Sequence, residues 1–116
     1  MTVDRPTGDD LVAMLAALAS PTRLQIFAKL ADGRDYVSNL AREIGVSRPL
    51  LHMHLQRLEA VGLIVGRLEL SEDGKAMKYY EVADFDLHLN PSTLAEAAGT
   101  LTASDPESGP ARKEQP

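Results

Sequence analysis

Cysteine and tryptophan are absent, and the 116 residues include only three tyrosines and two phenylalanines. With no thiol, disulfides, thiolate metal sites and thiol-based redox sensing are excluded. So few rings argue against a stacking surface for single-stranded nucleic acid. No apolar run approaches the roughly 20 residues of a membrane span, and the N-terminus lacks the apolar stretch of a signal peptide. A cytoplasmic protein without membrane contact is expected. Catalytic constellations are missing too: there is no Gly-rich phosphate loop, no nucleophile beside a base and no pair of carboxylates framed by a pocket. Neither an enzyme nor a bound cofactor is expected.

Positive charge is also scarce, with a formal net charge of −5. Its distribution matters more than its sum. Asp4, Asp9 and Asp10 against Arg5 leave −2 in residues 1–10. Glu96, Asp105, Glu107 and Glu114 against Arg112 and Lys113 leave another −2 in residues 91–116. The stretch 11–90 is therefore nearly neutral, at −1. Within 47–58 stand two arginines, two histidines and no acid, a local positive face on a mildly acidic protein.

The most informative stretch is 38–63, which reads as two short helices around a tight turn. Leu40, Ala41 and Ile44 recur at helical spacing and give the first helix one buried face. Gly45 supplies a left-handed turn residue, Val46 plugs the corner, and Ser47 is a good N-cap. Pro49 sits in the first turn of the second helix, where its missing N–H costs nothing. Leu51, Leu55 and Leu58 form the inner stripe, and Gly62 ends the helix. This is a helix-turn-helix, a unit whose second helix commonly enters the DNA major groove, although such pairs also serve as plain structure.

The length suits one domain with a modest core, helped if two copies pair. A loose arm is expected over 1–8, a domain over 9–101 and a disordered tail over 102–116. Asp9 and Asp10 suit a helix start as cap and as charge. Leu11, Met14, Leu15 and Leu18 mark an amphipathic helix, either core or half of a dimer interface. Ser20-Pro21 caps a second helix running through Leu24, Phe27 and Leu30 to Asp32-Gly33. After the helix pair, residues 63–70 and 75–82 read as strands around the turn Ser71-Glu72-Asp73-Gly74, with Tyr80 and Val82 inward. Two strands directly after such a helix make a wing, from which Arg67, Lys75 and Lys78 either reach phosphates or stand as solvated surface charges. Asp84, Asp86 and His88 alternate with Phe85, Leu87 and Leu89; half-buried extended chain explains this pattern better than a metal site. Asn90-Pro91 breaks the segment, and Thr93 with Glu96 offers a capping box for a short helix carrying Leu94, Ala97, Ala98 and Leu101.

The segment Leu18-Ala19-Ser20-Pro21-Thr22-Arg23-Leu24, with the helix pair running through His54-Leu55-Gln56-Arg57-Leu58 to Gly62-Leu63, resembles the ArsR-type winged-helix repressors over about residues 10–82. The resemblance implies an α+β, mainly helical winged helix-turn-helix with a two-stranded antiparallel wing. It also implies a homodimer and transcriptional repression released by a ligand. Departures accompany the match. The family often senses metals through cysteines at the start of the first helix of the pair, or through Asp/His ligands on a C-terminal helix. Here Asp35-Tyr36-Val37-Ser38-Asn39 offers no thiol and the C-terminal helix has no histidine, so neither metal site carries over. The wing turn is longer than the compact family hairpin, and Phe85 to Leu89 is expected to prolong its second strand. Leu50 and Met53 stand where polar residues usually meet bases. His52 and His54, two apart on a helix, cannot chelate one ion together; by resemblance His54 lies at the helix base, near the DNA backbone.

Two functions follow. In the first, a homodimer binds double-stranded DNA sequence-specifically through Ser47, Arg48, Pro49, Leu50, His52, Met53, His54, Gln56 and Arg57, with Arg67, Lys75 and Lys78 from the wing. Leu11, Met14, Leu15, Leu18, Leu94, Ala98 and Leu101 build its interface, and the effector ligand is open. In the second, Leu50, Met53 and the wing grip a protein instead. Salt dependence separates them, because counterion release makes DNA binding fall steeply with salt.

Overall fold

The computed structural model describes residues 6–102. Most of the expected arm and tail lie outside the described residues. The first helix, α1 (Gly8–Leu18), is capped by Thr7, whose Oγ1 accepts the Asp10 amide at 3.1 Å. Threonine, and neither aspartate, is thus the cap; Asp9 and Asp10 sit in the first turn, where their charge suits the helix dipole. The next helix, α2 (Pro21–Ala31), is capped by Ser20 as its Ser-Pro start predicts. Its buried pair is Ile26 and Leu30, while Leu24 is 56% exposed, which corrects the expected Leu24-Phe27-Leu30 stripe. Two steps of three residues turn a helix through about 600°, so Leu24 points roughly a third of a turn away from Leu30.

The helix pair is α3 (Val37–Ile44) and α4 (Arg48–Ala60). Gly45 takes φ 85°, and Ser47 Oγ accepts the Leu50 amide at 3.2 Å. Leu40 from α3 and Leu51, Leu55 and Leu58 from α4 are fully buried, together with Ile26, Leu30, Leu63, Ile64 and Tyr80. Each such side chain contributes about 2 kcal/mol by leaving water, so this shared core is what holds α4 in place.

The wing consists of β2 (Ile64–Leu70) and β3 (Ala76–Val82), antiparallel around a turn in which Gly74 takes φ 84°. A third strand that local pattern did not reveal, β1 (Asp35–Tyr36), joins β3 on its far side, giving the order β1-β3-β2. Gly66 faces Tyr80 across the ladder, and a Cβ there would lie 2.7 Å from the tyrosine ring. That close approach lets Tyr80 enter the core. Val82, expected inward, is 39% exposed, although its partner across the ladder, Ile64, is fully buried. Tyr79 is buried instead, on the opposite face, under Tyr36 edge-on at 5.9 Å and the Arg34 guanidinium at 4.2 Å.

Residues 83–89 do not prolong β3. The Ala83 amide makes one more bond to the Leu63 carbonyl at 3.0 Å, and the chain then leaves the sheet. Phe85 meets Phe27 edge-on at 5.9 Å and Leu87 packs against the core, so apolar burial takes this segment away from the ladder. The last helix, α5 (Pro91–Ala98), is capped by Asn90 reciprocally with Thr93, which replaces the expected Thr93–Glu96 box. It lies against the start of α1: the Gly8 amide donates to Thr100 Oγ1 at 2.6 Å. A Cβ on Gly8 would sit 2.3 Å from the Ala97 carbonyl oxygen.

Candidate nucleic-acid interface

With Leu51, Leu55 and Leu58 buried, α4 exposes Arg48, Pro49 and Leu50 at its start and His52, Met53, Gln56 and Arg57 further along. Ser47 and Pro49 set where this face begins, the one by capping and the other by its fixed φ in the first turn. Among the described residues, no hydrogen bond or ion pair ties up the side chains of Arg48, Gln56 or Arg57. The nearest acid along the helix, Glu59, turns back and accepts the Gly66 amide at 3.2 Å. That bond fastens the base of the wing to the end of α4 and leaves the outer face without negative charge.

His54 belongs to the inner face. It is only 9% exposed, and its Nδ1 accepts Arg23 Nε–H at 3.0 Å, which places the ring proton on Nε2. Burial, then the Arg23 and Arg57 charges, hold its pKa below the ordinary histidine value, so the ring is kept neutral. Arg23 also donates through Nη1 to the Ala17 carbonyl at 2.9 Å and the Ala16 carbonyl at 3.4 Å. One guanidinium therefore joins the end of α1, the start of α2 and the middle of α4. Sequence reading passed over Arg23, although a signal existed: a cation in the first turn of a helix opposes the dipole and needs a partner elsewhere.

On the wing, Arg67, Lys75 and Lys78 are exposed, but not all equally available. Arg67 Nε meets Glu81 Oε2 at 2.8 Å, and the Lys78 ammonium lies 5.5 Å from the Tyr80 ring centre. The outer half of β2 is held by a cluster that the sequence did not announce. Glu69 accepts the Tyr36 hydroxyl at 2.6 Å and pairs with Arg34 at 3.3 Å. The Tyr36 bond foremost holds the Glu69 carboxylate below its ordinary pKa.

The expected interface residues divide. Leu11 and Met14 are buried within the protomer, Leu15 and Leu18 are half-buried, and Leu94, Ala98 and Leu101 are exposed. Val12, at 58% exposure, is the apolar residue of α1 that the periodicity missed. Of Asp84, Asp86 and His88, the last two meet as a pair, with His88 Nε2 3.3 Å from Asp86 Oδ2. Among the described residues, no three His, Cys, Asp or Glu side chains gather as a metal site.

Residues 18–67 match the family model described as a helix-turn-helix domain. The chain is 32% identical over 81 residues to an uncharacterised HTH-type transcriptional regulator of Methanocaldococcus jannaschii, covering 70% of this chain and 84% of the relative. It is 38% identical over 85 residues to the HTH-type transcriptional regulator CmtR of Mycobacterium tuberculosis, covering 73% of this chain and 62% of that longer relative. Among solved structures, a homodimeric winged helix-turn-helix DNA-binding domain of Mycobacterium bovis, a possible ArsR-family regulator, superposes with a TM-score of 0.58 at 28% identity. That match covers 78% of this chain and 73% of the other. The fold and these matches define a winged helix-turn-helix regulator of transcription. The chain belongs to the ArsR-type family of such regulators.

Proposed function

We propose that this regulator binds double-stranded DNA sequence-specifically as a homodimer and represses transcription in the cytoplasm. The observation that carries the reading is the exposed surface of α4, which presents Arg48 in its first turn and Arg57 near its end with no acid beside them, while Leu51, Leu55 and Leu58 fix the helix in the core. In this reading α4 lies in the major groove, Arg48 reaches a base edge or phosphate from the first turn, and Gln56 and Arg57 flank the backbone. Lys75 and Lys78 approach phosphates from the wing. A second copy packs on α1 and α5, where Val12, Leu94 and Leu101 remain exposed. The relatives' names and the homodimeric neighbour support both parts of the reading.

A second reading, a protein-binding module, draws on the exposed Leu50 and Met53. One titration separates the two: fluorescence anisotropy with a duplex from around the protein's own coding region and a scrambled duplex, at several salt concentrations. The proposal expects preference for the first duplex and a log–log salt slope of about −0.9 for each phosphate neutralised. Equal affinity for both duplexes, or binding indifferent to salt, overturns it. Sedimentation of the wild type and Val12→Asp checks the assembly: dimers are expected for the first and folded monomers for the second.

A further inference from the structure

Helix α4 is apolar on two sides. Leu51, Leu55 and Leu58 fill the core, but Leu50 is 43% exposed and Met53 36% exposed on the opposite face. These two residues are one turn apart, so their side chains are neighbours. Leu50 is the third residue of α4, just behind the Ser47 cap, in the turn of a recognition helix that comes nearest to base edges. Around them stand Arg48, His52, Gln56 and Arg57. No acid occurs from Ser47 to Leu58, and Glu59 is turned back onto the Gly66 amide.

We infer that Leu50 and Met53 make α4 a reader of thymine, by packing on the C5-methyl groups that thymines present in the major groove. The inference rests on the DNA-binding reading above and adds the chemistry of what is read. Three observations favour DNA as the occupant of this patch. It shares the exposed surface of α4 with two arginines and no acid, which suits a polyanion. It amounts to two side chains, far less than the ~800 Å² per partner that a stable protein interface buries. And in the major groove of unmodified DNA the thymine methyl is the apolar group on offer; every other base edge there presents donors and acceptors. Placed against those polar edges, Leu50 and Met53 would strip water from them without replacing its hydrogen bonds. Against methyl groups the same side chains gain contact, so the helix discriminates for thymine and against cytosine at the same position.

The test changes the DNA and leaves the protein alone, so folding cannot confuse it. Full-length protein selects from a library of randomised duplexes, and the enriched duplex is resynthesised with deoxyuridine replacing thymidine one position at a time. Deoxyuridine keeps every hydrogen-bonding group and loses only the methyl. At one or two positions per half-site the wild type should bind about fourfold more weakly per methyl removed. Leu50→Ala or Met53→Ala should abolish the difference at its own position, and both variants should melt like the wild type. If a duplex is enriched but deoxyuridine is tolerated at every position, the thymine inference falls and DNA binding stands. If no duplex is enriched, or Leu50 and Met53 prove necessary for holding a protein instead, both fall together.

Discussion

Arg23 and His54 show how much one buried hydrogen bond can organise. The histidine is neutral in the fold, with a pKa below the ordinary value because of burial and the Arg23 and Arg57 charges. The unfolded chain therefore takes up a proton first on acidification. Stability is full above about pH 6.5, the ordinary histidine value, and is lost as pH falls from there through the lower folded value. Denaturant midpoints measured between neutral and mildly acid pH should fall for the wild type. They should fall less for His54→Gln, whose amide oxygen can still accept Arg23 Nε–H; an equally steep fall in the variant would dismiss His54 as the cause. Arg23→Met keeps the apolar stem but orphans His54 Nδ1 and the Ala17 carbonyl, and should cost about 1–3 kcal/mol of stability.

Among the elements, the helix pair was the most legible in the sequence and the strands the least. The boundaries of α3 and α4 follow from local chemistry: a glycine that can take positive φ, a serine cap, a proline in the first turn and leucines at helical spacing. The two residues of β1 have no local signal, because they become a strand only by pairing with Tyr79 and Tyr80 more than 40 positions later. The same limit hid the Glu59–Gly66 bond and the cluster of Tyr36, Glu69, Arg34 and Tyr79, each of which joins elements apart in the chain. Charge was legible in type but not in availability. Arg67 is held by Glu81 at 2.8 Å, a solvent-exposed pair weak enough for a phosphate to compete for. Glu81→Gln should therefore strengthen binding to specific and scrambled duplexes alike and steepen the salt slope by about one unit. Lys78→Ala should weaken both and flatten it; Arg48→Ala should cost about 1–3 kcal/mol on the specific duplex alone. These three variants and the wild type can be compared in one anisotropy series, and a Glu81→Gln variant indistinguishable from wild type would show that Arg67 never reaches the DNA.

At the scale of the whole molecule, the described chain closes on itself. The Gly8 amide meets Thr100 Oγ1 across 92 positions of sequence, and the Thr102 amide donates to Asp9 at 3.3 Å. Both participating helices were legible in the sequence from their apolar, alanine-rich spacing although both caps lay elsewhere than expected, and nothing local showed that a glycine at the start of α1 is required by the carbonyl of Ala97. That closure has a kinetic meaning. The contacts that build the helix pair lie within a few turns of one another, whereas joining α1 to α5 must overcome the loop entropy of nearly the whole domain. The order of events follows: α3 and α4 dock early and the clasp between the chain's two ends forms after the folding barrier. Gly8→Ala, which forces a methyl against the Ala97 carbonyl, should thus accelerate unfolding in stopped-flow experiments while leaving the refolding rate nearly unchanged. Amide hydrogens of α1 and α5 should likewise exchange by partial openings that spare α4. The surface proposed for a second copy would then be the part of the molecule finished last and opened first, and a partner that waits for it would also time its completion.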